Sequence, residues 1–136
     1  MRDRRLVALV VLTTVLSLGH SVDHVARGDL PLPPGLESLP FILASLAIYA
    51  TLGFGLYLYS KGRVGPRFWA LAGGIGVAFG WLAHFSPFTD QPPRYIVSAY
   101  ESAAVGWFAV AWLVALMASL VAGAIYATWL WVTATR

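Results

Sequence analysis

Three histidines carry most of the chemical potential of this sequence. It has no cysteine, which excludes thiolate ligands, disulfides and thiol redox chemistry. His20 and His24 are four residues apart, so on a helix both imidazoles lie on one face, and Thr13 and Ser17 extend the same polar stripe. His84 closes an apolar run in which Gly73, Gly76 and Gly80 share its face, and Glu101 opens the last apolar run. Two imidazoles at i and i+4, a third from another helix and a carboxylate form a donor set suited to zinc, iron, manganese or nickel. The expected metal ligands are therefore His20, His24, His84 and Glu101, with Asp23 or Asp90 as further oxygen donors.

Two other chemistries use the same residues. His20 or His24 could pair with His84 as axial ligands of a b-type haem, with Gly76 and Gly80 leaving room for the macrocycle. Without a metal, Glu101 with His84 or His20 would act as general acid and base on a lipid-like substrate entering from the bilayer. That makes Glu101, His84 and His20 the candidate catalytic residues. Trp81, Trp107 and Trp112 would line a pocket or simply pack the bundle. The plain alternative is that His24, Asp23, His84 and Glu101 are wet residues near the membrane surface making ordinary loop contacts. The expectation is a small membrane protein with an outward-facing His/carboxylate centre, a metal-binding oxidoreductase or a metal-binding subunit of a membrane complex. A metal-free enzyme and a purely structural subunit are the alternatives.

The elements that must position these residues follow from composition. Of the 136 residues 59% are hydrophobic and only 11% charged, under half the charge of an average soluble domain. The apolar residues fall into four stretches, about 6–25, 39–59, 68–85 and 100–132. Each is near or above the roughly 20 residues that span a hydrocarbon core. Backbone polar groups must pair internally in lipid, so stretches this apolar become helices, and the short alternation of barrel strands is absent. The fold expected is an all-α integral membrane protein, a single domain over 1–136 forming an antiparallel four-helix transmembrane bundle. No small-x-small cleavage site follows the first apolar run, so it reads as a retained helix and not a signal peptide.

Basic residues then suggest orientation. With four spans, Arg2, Arg4, Arg5, Lys61, Arg63, Arg67 and Arg136 share one side and Arg27 and Arg94 the other. Such a bias places both termini in the cytoplasm and the three histidines toward the outer leaflet. The net charge of +3 thus describes membrane orientation, and no basic surface for nucleic acid is seen. The partners expected are the lipid bilayer, a second copy or another membrane protein packed on the glycine-rich faces, and a lipid-like small molecule. The proline-rich segments 27–35 and 86–94 read as rigid connectors, since proline ends a helix.

Overall fold

The computed structural model describes residues 3–30 and 33–134. Arg2 and Arg136, counted in the charge bias, and Pro31 and Leu32 of the first connector lie outside the described residues. Five α-helices are present among the described residues: α1 (Arg4–Ala26), α2 (Leu39–Ser60), α3 (Pro66–His84), α4 (Pro93–Ser98) and α5 (Ala103–Ala134). A 3₁₀ turn, Leu36–Ser38, leads into α2. Three helical segments are long and apolar enough to cross a membrane: Arg4–Ala26, Leu36–Ser60 and Ala103–Ala134. The chain is accordingly a multi-pass membrane protein.

This corrects the expected four-helix transmembrane bundle. The stretch 68–85 does form a helix, α3, but it falls outside the set of spanning length and apolarity. Its 19 residues open on Pro66 and Arg67, and four glycines and two tryptophans dilute what remains. The placement of both termini in the cytoplasm rested on an even number of spans, and it falls away with the fourth. The last stretch also starts later than expected, at Ala103, because Pro92 and Pro93 begin a separate short helix, α4, with proline in its first turn.

The longest helix, α5, runs antiparallel to both α1 and α3. Its 32 residues extend about 48 Å at 1.5 Å per residue. At Gly73 a Cβ would stand 3.0 Å from the Ala124 Cβ and 3.2 Å from its Cα, so α3 and α5 meet almost backbone to backbone. Gly76 and Gly80 face Leu120 and Met117 further along the same seam. On the other side of α5, the Thr13 and Ser119 hydroxyls share a buried hydrogen bond of 3.0 Å, and Trp112 Nε1 donates to the Leu16 carbonyl. Contacts between α1 and α2 are sparse by comparison, and the Ser21–Tyr49 hydroxyl pair, 2.7 Å apart, is one of the few that join them.

Buried side chains gather toward the two ends of the bundle. At one, Leu6, Val10, Tyr59, Trp69 and Ala127 form a cluster. There the Asp3 carboxylate caps α1 by accepting from the Arg5 and Leu6 backbone N–H groups. Tyr126 donates to the same carboxylate, and the Asp3 N–H donates to the Tyr59 hydroxyl, so one residue ties α1 to α2 and α5. At the other end Ile96 of α4 is fully buried against Ala109, Val110 and Leu113 of α5. A Cβ at Gly106 would lie 2.7 Å from the Val97 backbone, so only glycine lets α4 settle there. This docking lays the segment 85–102 over the last turns of α1 and α3.

Candidate metal centre

His20 and His24 stand one turn apart near the end of α1, and His84 is the final residue of α3. Helix spacing alone puts the first two on one face. The close packing of α1 and α3 against α5 then brings the third to them. The Nε2 atoms of His20 and His84 are 3.1 Å apart, and those of His20 and His24 are 3.2 Å apart. One nitrogen from each of the three rings can be chosen so that all lie within 4.8 Å of one another. Nitrogens bound at about 2.0–2.1 Å to one zinc stand roughly 3.3–3.4 Å apart at tetrahedral angles. The two short separations, 3.1 and 3.2 Å, are close to that spacing.

The outer nitrogens face the opposite way. His24 Nδ1 lies 3.1 Å from Asp29 Oδ2, His84 Nδ1 lies 3.3 Å from the Gln91 carbonyl, and His20 Nδ1 lies 3.7 Å from Asp23 Oδ2. The last separation is too long for a hydrogen bond, and this buried nitrogen has no other partner. Arg27 Nη2 is also 3.2 Å from His24 Nδ1. Its guanidinium, however, already has Asp23 Oδ2 at 3.0 Å from Nε and Asp29 Oδ2 at 2.7 Å from Nη1. The Nη1 contact is an ion pair off the axis of an aligned hydrogen bond. Arg27 Nη2 can only donate, so His24 Nδ1 stands between a donor and the Asp29 carboxylate. With protons on the outer nitrogens, three Nε2 lone pairs converge with no hydrogen between them. Such an arrangement is compatible with a transition-metal ion.

A single segment holds these outer acceptors. Gln91 supplies its carbonyl to His84, Tyr95 donates to Asp29 Oδ1 at 2.8 Å, and Tyr100 donates to Asp23 Oδ1 at 2.6 Å. Burial, and then the bond to Asp23, push the Tyr100 phenol up to about 12, so it remains a neutral donor at physiological pH. The Arg27 side chain is entirely buried beneath this cover, and the Phe41 ring of α2 packs 4.9 Å from His24.

The expected outward-facing centre is thereby corrected. His24 and His84 are only 7% and 6% exposed and His20 is half-buried, because the segment 85–102, Arg27 and Phe41 close over them. Of the four expected metal ligands the structure brings together His20, His24 and His84. Glu101 stands apart, exposed just before α5, and Asp90 is exposed as well. Glu101 is not part of the histidine group. A haem between His20 and His84 has no room: the rings touch, and Leu120 and Met117 fill the space opposite Gly76 and Gly80. Trp81 and Trp107 are largely exposed on the apolar surface, while Trp112 packs inward. Sequence reasoning missed Arg27, Asp29, Gln91, Tyr95 and Tyr100. The spacing of Asp23 and Arg27, four apart at a helix end, was the one local signal for part of this set.

No protein family, curated protein or solved structure matches the chain. The reading of the centre accordingly rests on its own geometry.

Proposed function

We propose that this membrane protein is built around a divalent transition-metal ion bound by Nε2 of His20, His24 and His84. The observation that carries the reading is the close approach of one nitrogen from each of three imidazoles, with the outer nitrogens of His24 and His84 at Asp29 and the Gln91 carbonyl. Neutral imidazoles suit zinc first, with iron, manganese and nickel as chemically acceptable occupants. Asp29 and the Gln91 carbonyl fix ring orientation and raise ligand basicity, as the outer partners of metal-bound histidines generally do. Asp23 and Arg27 complete the charged surroundings.

The test is metal titration of the purified protein after chelator treatment. One equivalent of zinc or cobalt is expected to bind. His20→Ala and His84→Ala are expected to lose stoichiometric binding while circular dichroism retains the helical signal. A wild-type protein that binds no metal, or variants that bind as it does, would sink the reading.

A further inference from the structure

The three histidines leave the ion incompletely served, in both coordination number and charge. Among the described residues no fourth histidine, cysteine, aspartate or glutamate joins the group. The nearby carboxylates are already committed: Asp29 to Arg27, His24 and Tyr95, and Asp23 to Arg27 and Tyr100. Two carboxylates and one guanidinium leave one negative charge around the centre. Three neutral imidazoles add nothing, and a divalent ion brings two positive charges, so one remains uncancelled in a buried place. Burying an uncompensated charge is costly. One anionic donor on the ion would bring the whole assembly to neutrality. Three histidines with an open position is also the ligand count of catalytic rather than structural zinc.

We infer that the ion keeps its fourth coordination position for an exchangeable anionic oxygen donor, such as hydroxide, a carboxylate or a hydroxamate. This rests on the metal reading above and extends it from a bound ion to an ion that takes a ligand. Such a donor has two candidate sources. One is the aqueous phase. The other is the bilayer, through an apolar groove of about 400 Å³ where α1 and α2 are loosely joined. Leu18, Val22, Ile42, Leu46 and Phe41 line that groove, and Phe41 is the residue packed on His24. Its polar pair, Ser21 and Tyr49, is mutually satisfied, which leaves a wall suited to an aliphatic chain.

The experiment uses the full chain in lipid nanodiscs, loaded with one equivalent of cobalt, whose visible absorption reports its ligands. Acetohydroxamate and azide are titrated first. The expected result is a saturable spectral change from each. An unchanged spectrum, with cobalt demonstrably bound, overturns the open position. Failure to bind cobalt overturns the underlying metal reading instead, so the two failures are distinct. Dodecanohydroxamate then identifies the source. If the donor comes from the bilayer, it binds more than about tenfold tighter than acetohydroxamate, because each methylene buried in the groove adds affinity. Ser45→Phe, which fills the groove one turn from both Phe41 and Tyr49, then removes that advantage. A chain-length ratio unaffected by Ser45→Phe supports the open position with a water-borne anion as its ligand.

Discussion

The two ends of the bundle use similar parts to opposite effect. At one, the Asp3 carboxylate is consumed by two α1 backbone N–H groups and the Tyr126 hydroxyl of α5, while its backbone N–H donates to Tyr59 of α2. At the other, tyrosine hydroxyls again meet aspartates, but the aspartates are turned away from the centre, with Asp29 receiving a histidine's outer nitrogen. The same phenol–carboxylate pair closes a helix terminus in one place and braces an inward-facing set of nitrogens in the other. A polar cluster in a membrane bundle is therefore read by where its unused lone pairs point. At Asp3 the bonding is directed into the cap, while at the histidines ring nitrogens of three side chains face one another.

The largest separation of the two ends is expected from His24→Ala. Cobalt affinity should fall more than about 100-fold, beyond the usual effect of an outer partner, while the Asp3 end stays intact. Metal affinity measured by competition with a coloured chelator checks this, and affinity within a few-fold of wild type would remove His24 from the ligand set. Acid is expected to separate the ends next. Metal binding requires neutral imidazoles, so affinity falls once acid begins to protonate them, with protons released on binding in that range. Asp3 behaves otherwise. Its backbone bond to Leu6 is the main influence holding its carboxyl below the ordinary 3.8. Its contribution is thus present above 3.8 and lost only as pH falls through its lowered value. Metal release and helix loss should appear as two separate transitions in a pH titration followed by both signals, and simultaneous loss would break the distinction.

Tyr100→Phe and Tyr95→Phe give the next effect. Each removes the hydroxyl that steadies an aspartate beside the histidines and should weaken metal binding about 10–100-fold with little change in melting temperature. Tyr126→Phe removes the matching bond at Asp3 and should leave metal affinity unchanged. Equal effects from Tyr100→Phe and Tyr126→Phe would show that the bracing is general packing. Asp3→Ala should likewise spare the metal. It should lower the melting temperature by a few degrees through loss of the α1 cap, with metal affinity within about twofold of wild type. A large loss of affinity would mean that the two ends are coupled through α1.

Much of the centre was legible in the sequence because its core is local or nearly so. The four-residue spacing of His20 and His24 dictates a shared face, and the glycines before His84 mark a helix that packs closely. Within α3 the backbone approach nevertheless falls at Gly73, since Gly76 and Gly80 face flexible side-chain ends. Glu101 was chosen because it opens an apolar run, yet the helix begins two residues later and leaves it exposed. The carboxylate that reaches a histidine is Asp29, five residues past His24 in an irregular connector where no periodicity predicts direction. Tyr95 and Tyr100 depend on α4 docking at Gly106, a tertiary event invisible to helical spacing. The number of spans failed for a different reason. Length alone made the stretch 68–85 resemble the others, whereas its glycine, tryptophan and Arg67 content lowers its apolarity.

Gln91, Tyr95 and Tyr100 belong to one short length of chain, and that has a consequence for how the centre fails. Their supports cannot be withdrawn independently, because the segment works as a clasp with three teeth on one bar. A single proteolytic nick between positions 91 and 100 would loosen all three grips. Loss of the ion under such cleavage should therefore be abrupt, passing from fully held to released without a long-lived, half-gripped form.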